Sequence, residues 1–478
     1  MRKIIAFGTL ALIVSLPLAA FSACDNGAGA RCGYEIEAEY FAEEGRIDGS
    51  MKVTVPNRTE NVLEEIPFAL YPNMFGEGVK TPPVSELFSS ACYYGGVSYG
   101  GIEIEEVTGG KEWSVGGEDN GVLSVLLSKP LYPDESVALF VRYSLTLPKA
   151  DHRLGIGENC VNLSYFYPML PAQGESGFYA YAPAAYGEPF TLDTSDFSVT
   201  LTVPAEMKVA CGGDAALSEG NGKTVCRYKA ENVRDAAFVL GDFKVVSDER
   251  ANVKIDYYYF ADAFPEETLR AACDAVATYA ELFGEYAYPR YAFAETDLYF
   301  GGMEYGGFAT ISSALRREER TAVVAHETAH QWWYASVGSD QANCAWQDEG
   351  LAEYSVALFF ENHPAYGVGY RDFVAASENA YRNYFNVQSQ LSGEVDTGMS
   401  RPLSGYSGEY EYRILAYDKG VVLFDRLRET MGDRKFFSSL RSYAAKYAGK
   451  LASEYDLIGC FSSAEQLVLS FTEGRCVI

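Results

Sequence analysis

The sequence predicts an α+β chain whose first half is built of antiparallel sheets and whose second half sets a few strands among helices. Alternation at period two dominates residues 34–246, and near residue 251 the apolar period lengthens to three or four. Composition agrees: 48% hydrophobic and 22% charged residues are ordinary for a globular protein, and 36 Tyr with 28 Phe favour β-rich architecture. At 478 residues the chain is too long for one core and implies two or three domains.

In chain order, Met1-Arg2-Lys3 and an apolar run over 4–20 lead to Phe21-Ser22-Ala23-Cys24. A basic start, an apolar segment and small residues describe an export signal over residues 1–23, with a retained membrane anchor as the alternative. No second apolar run of spanning length follows. Ser22-Ala23-Cys24 resembles a bacterial lipobox, although Phe21 stands where an aliphatic residue is usual. Membrane attachment through a lipidated Cys24 and plain secretion therefore both stand, and either makes the protein extracellular or part of the cell envelope. Residues 24–33 form a Gly-rich tether. A formal charge of −28 repels phosphate backbones and argues against a nucleic-acid partner.

Residues 34–248 form the expected β domain. Segments 51–55, 138–143 and 197–203 alternate apolar and polar residues and are separated by Gly, Pro and Asn clusters, as in a sandwich or saddle. Residues 249–478 form the second domain. A strand over 253–260 precedes a helix opened by Pro265, with a buried stripe of Leu269, Cys273, Val276, Tyr279 and Phe283. A strand near 291–300 leads into Gly301-Gly302-Met303-Glu304. Helices within 321–354, a polar, Tyr-rich section to residue 412, and helices over 420–431 and 433–447 complete the half. The ten cysteines include no Cys-x-x-Cys pair. Cys211 and Cys226 flank a Gly/Asn-rich turn and are either a hairpin disulfide or two buried thiols.

The chemistry concentrates in His326-Glu327-Thr328-Ala329-His330 and Asp348-Glu349-Gly350. Histidines four apart on a helix direct both imidazoles into the same space. Glu349, which follows His330 after eighteen intervening residues, can return on a second helix as a carboxylate ligand. Two nitrogens, one carboxylate and an open position make a catalytic zinc site, with one Zn2+ ion on His326, His330 and Glu349. Glu327 lies beside the ligands as general base for a water. Glu353, four residues after Glu349, is either a hydrogen-bond partner that orients a ligand histidine or a surface acid.

The ligand triad, Gly301-Gly302-Met303-Glu304 upstream and Tyr417-Asp418-Lys419-Gly420 downstream resemble the gluzincin aminopeptidases, the family of aminopeptidase N and leukotriene hydrolase. The likeness spans residues 34–447. It implies a β-saddle domain followed by a thermolysin-like catalytic domain, and peptides as substrates. It also implies that Tyr417 donates to the oxyanion, that Glu304 pairs with a free α-amine, and that Gly301, Gly302 and Met303 lie along the substrate. Tyr305 and Gly306 depart from the family pattern, in which Asn follows the glutamate. The family's C-terminal helical domain has no counterpart here, which implies a more open cleft. The reading is an exported zinc aminopeptidase. The alternatives are a zinc endopeptidase or other zinc hydrolase on this scaffold, and a non-catalytic surface binding protein. Oligomeric state is not legible in the sequence.

Overall fold

The computed structural model describes residues 31–474, apart from Ser176 and Glu394. The expected signal segment, Cys24 and most of the tether lie outside the described residues. The architecture is α+β, with several sheets in the first half and a small sheet packed by helices in the second.

Period-two alternation builds the first half. Strand Cys32–Phe41 turns Cys32, Tyr34, Ile36, Ala38 and Tyr40 inward, and Ser195–Pro204 alternates in the same way. These two strands sit in a seven-stranded sheet. Its pairings are antiparallel except one: Cys32–Phe41 runs parallel to Ser195–Pro204, where an all-antiparallel arrangement was expected. The exception follows from the length of chain between the two strands, since a parallel pair needs a long crossover. Sheets of four, three and two strands complete this half among the described residues.

The second half carries a five-stranded mixed sheet. Its order is Lys244–Arg250, Val253–Tyr259, Arg290–Thr296, Phe308–Ser312 and Gly302–Tyr305, the last at an edge. Strand Lys244–Arg250, which crosses the expected boundary at residue 249, pairs with Val253–Tyr259. Arg290–Thr296 is buried on both faces, as a strand between two layers must be.

Helix Pro265–Phe283 opens with Pro at its first turn and acids at Glu266 and Glu267, and it buries every residue of the predicted stripe. Helices Lys419–Met431 and Asp433–Tyr447 lie where the apolar period put them. The polar section before residue 412 is different: it contains the 23-residue helix Tyr370–Ser392. That helix buries only Val374, Ser377, Tyr381 and Tyr384, a stripe whose two tyrosines and serine disguised its period.

Met303, Tyr305 and Phe308, from the second half's sheet, pack into the same apolar core as the first half's strands. The edge strand Gly302–Tyr305 is therefore clamped between the halves. Among the described residues, no helix is long and apolar enough to cross a membrane. Cys211 and Cys226 are buried free thiols and not bridged.

Candidate active site

Two helices and their terminal residues converge to make the site. Helix Arg317–Ala329 opens with Glu318 and Glu319 in its first turn, where the macrodipole favours acids, and the Glu319 carboxylate accepts from the Arg316 backbone N–H. His326 lies in its last turn. His330 still donates its backbone N–H to the His326 carbonyl, after which the chain leaves helical geometry at Trp333. Helix Trp346–Asn362 presents Glu349 and, one turn later, Glu353 toward the two imidazoles.

The Nε2 atoms of His326 and His330 are 3.0 Å apart, and Glu349 Oε2 is 3.3 Å from each. His326 Nδ1 lies 2.7 Å from Glu353 Oε2, and His330 Nδ1 lies 3.1 Å from the Trp333 carbonyl. Those oxygens can only accept, so each neutral ring carries its proton on Nδ1. In that neutral state two Nε2 lone pairs and a carboxylate oxygen face one another. Burial works against a charged His326, yet Glu349 and Glu353 push its pKa up to about 10. Burial also opposes ionisation of Glu349, but the two imidazoles hold its carboxyl well below the usual range. The group is arranged for a cation. Ligands on a tetrahedral ion with bonds of about 2.0–2.1 Å stand roughly 3.3 Å apart, so this donor set fits zinc.

Glu327 occupies the neighbouring wall. Its Oε2 is buried without a hydrogen-bond partner. Burial raises its pKa to about 7, against the opposing pull of His326 and His330. Gly302 makes room for it, because a Cβ there would stand 2.5 Å from Glu327 Oε1. The missing side chain at 302 thus admits the carboxylate. Gly301 is less confined: a Cβ there would meet only Val323, at 3.4 Å.

Glu304 projects from the edge strand, accepts from Gln341 Nε2 at 3.3 Å, and has its pKa raised well above the usual range by burial. One ligand atom each from Glu304, Glu327 and His330 fall within 4.8 Å of one another. Met303 lines the same cleft, whose volume is about 120 Å³. Tyr305 does not reach it: its hydroxyl meets Ser164 Oγ at 2.5 Å and its ring stacks on Phe308.

Tyr417 lies with its ring parallel to His326, the centroids 5.7 Å apart. Burial raises its hydroxyl's pKa, so the group remains a donor. It sits in a wide helical turn, Arg413–Asp418, that continues directly into helix Lys419–Met431. That turn sets Tyr412, five residues earlier, on the same side, where its hydroxyl donates to Glu349 Oε1 at 3.4 Å. Gly350 and Gly420 bring the two helices together, since a Cβ on Gly420 would stand 2.6 Å from the Gly350 Cα. Any side chain at 420 would push Tyr412 and Tyr417 away from Glu349.

Tyr412, Arg153 and Glu188 are among the cleft residues that were not anticipated. Tyr412 needs the wide turn to reach Glu349. Arg153 and Glu188 come from the first half and form a buried ion pair at 2.8 Å. No local motif marks either one; only an acid and a base in polar-poor surroundings could have hinted at a pair.

The first half walls one side of the cleft. Tyr186 donates to the Leu403 and Tyr406 carbonyls at 3.1 and 3.3 Å, and Ser85 Oγ donates to Glu409 Oε2 at 2.7 Å. Segments of the first half therefore span the site.

Residues 268–473 match the Peptidase family M1 domain. Human endoplasmic reticulum aminopeptidase 1 is 29% identical over 251 residues, covering 46% of this chain and 24% of that protein. Aminopeptidase M1-B of Oryza sativa subsp. japonica is 25% identical over 286 residues, covering 55% of this chain and 31% of that protein. This chain thus spans about a quarter to a third of the length of these curated relatives. An M1 zinc metallopeptidase from Deinococcus radiodurans superimposes with a TM-score of 0.64 at 21% identity, over 94% of this chain and 95% of that one. A mutant of that protein bound to a Tyr-Ser-Ala substrate superimposes equally well, with a TM-score of 0.64 at 22% identity over 94% and 95% of the two chains. At such identities the likeness is one of fold.

Proposed function

With residues 268–473 forming a peptidase family M1 domain, we propose that this chain is an exported, zinc-dependent aminopeptidase that removes N-terminal residues from peptides. His326, His330 and Glu349 would hold one zinc ion, which supplies an acidified water and a polarised carbonyl when bound. Glu353 fixes the His326 ring through Nδ1. Glu327 takes a proton from the attacking water and returns it to the departing amine. Tyr417 donates to the oxygen that gains charge on the scissile carbonyl.

One observation carries the exopeptidase reading: Glu304 shares a 4.8 Å neighbourhood with Glu327 and His330. An α-amine lies about 2.5 Å from its own carbonyl carbon, so an acid that close to the reacting centre can hold only the first residue's amine. Residues 1–23 support export, and with it the choice between a lipidated Cys24 and free secretion.

The test is a panel of aminoacyl fluorogenic substrates, free and N-acetylated, on protein of known zinc content. Turnover that is abolished by a chelator, restored by zinc and lost on acetylation is the expected result. Acetylated substrates cleaved as fast as free ones would refute the reading and favour an endopeptidase.

A further inference from the structure

Glu304 sits on an edge strand, Gly302–Tyr305, which pairs on one side only, with Phe308–Ser312. The two-residue turn Gly306-Gly307 joins these strands. The ladder fixes Glu304 relative to the sheet. Its distance from the zinc ligands depends on what ties this hairpin to the helix that carries them.

Gln331, the residue after His330, makes that tie, and its side chain is buried. Its Nε2 donates to the Tyr305 carbonyl at 3.0 Å and to the Phe308 carbonyl at 3.3 Å. Its Oε1 accepts from the Gly307 backbone N–H at 2.9 Å and from the Tyr286 hydroxyl at 3.4 Å. A primary amide has two N–H donors and two acceptor positions, so all of them are used. Three of the bonds reach the hairpin turn, and Tyr305 directly follows Glu304.

The turn is held from the first half as well. Asp235 Oδ1 accepts from the Gly306 backbone N–H at 3.0 Å, and Oδ2 accepts from the Tyr334 hydroxyl at 2.5 Å. Gly306 is so closely packed that a Cβ there would stand 2.7 Å from the Val233 Cβ. A turn confined in this way passes the position of Gln331 on to Glu304 instead of absorbing it.

We propose that Gln331 is a positioning residue that sets the spacing between the zinc ligands and the Glu304 carboxylate, and with it the recognition of a substrate's free α-amine. The proposal rests on the aminopeptidase reading for the partner of Glu304, and it adds the residue that couples amine recognition to the metal. A displacement of about 1 Å in a positioned group costs up to roughly 10²-fold.

The test uses two hydroxamates that differ only in the α-amine, L-leucine hydroxamate and 4-methylpentanohydroxamate, titrated calorimetrically into the whole zinc-loaded chain. Both chelate the metal, so the ratio of their dissociation constants reports the pairing of the amine. The unaltered chain should prefer the amine by about tenfold or more. Gln331→Met is similar in length and makes none of the four bonds. It should bring the ratio to within about threefold of one, with zinc still at one ion per chain and the affinity for 4-methylpentanohydroxamate little changed. Gln331→Asn keeps the amide but not its reach; it should lower the ratio too, and it decides the matter if the Met variant does not fold. Adding Gln331→Met to Glu304→Gln should lower the ratio no further, because one residue acts through the other. A folded Gln331 variant that loses thermal stability yet keeps the full ratio has a merely structural residue at 331, which would overturn the proposal. A further fall in the double variant would overturn it as well. Equal binding of the two hydroxamates by the unaltered chain would overturn the aminopeptidase reading, and this proposal with it.

Discussion

The two ends of helix Arg317–Ala329 bury charge in opposite ways. Near its start, Arg320 meets Glu295 at 3.2 Å and Asp262 at 3.0 Å. The other Glu295 oxygen accepts from the backbone N–H groups of Phe260, Ala261 and Asp262 at 2.9, 2.7 and 3.0 Å. Each of those ionised groups finds its partner inside the protein. At the far end, Glu327 Oε2 is buried with no hydrogen-bond donor, and Glu349 Oε2 faces only the two imidazoles. Leaving a buried charge unanswered costs several kcal/mol, so a fold retains it only where something from outside supplies the partner. The satisfied cluster anchors the helix, and the unsatisfied one is the site.

The contrast can be broken by experiment. Glu327→Gln should keep zinc at one ion per chain while lowering kcat by about 10²–10⁴-fold, the range for loss of a general base. Metal analysis beside steady-state kinetics decides this, and near-normal turnover would remove Glu327 from the chemistry. At the satisfied end, Arg320→Met strands Glu295 and Asp262 and should lower stability by about 3–5 kcal/mol. Urea unfolding followed by circular dichroism reads that loss, while the folded fraction should still hydrolyse substrate. A fully stable but inactive Arg320→Met would erase the distinction between the two ends.

Tyr417→Phe sharpens the picture within the site. It should reduce kcat by roughly 10²-fold, about 3 kcal/mol, with KM little changed, because the donor acts on charge that appears only in the transition state. The smallest expected effect is that of Glu353→Ala. Freeing the His326 ring should weaken zinc affinity by about 10–100-fold, measurable by competition with a chromogenic chelator, and leave zinc-saturated kcat close to its starting value.

What could be read in advance follows the range of the interactions. His326, Glu327 and His330 share one helix, and Glu349 and Glu353 share another, so helical period alone places each set on a common face. Tyr412 was hidden because a regular α-helix would turn it away from Tyr417; only the wide turn aligns residues five apart. Helix Tyr370–Ser392 was hidden because its buried face is made of polar-tipped residues. Gly302 was visible, but its neighbour was not: the Glu327 carboxylate that needs the space is 25 residues away in the chain.

By itself the sequence determined the α+β order, the strand and helix periods, and the donor atoms offered to a cation, since each depends on residues within a turn or two of one another. Tertiary structure alone decided that Glu349 closes a triangle with two imidazoles and that Gly350 and Gly420 draw Tyr412 and Tyr417 toward it. It also decided that Arg153, Glu188 and Ser85 reach across from the first half. These contacts join residues tens to hundreds of positions apart. Their geometry comes from how close-packed cores bring surfaces together, and no local pattern encodes that.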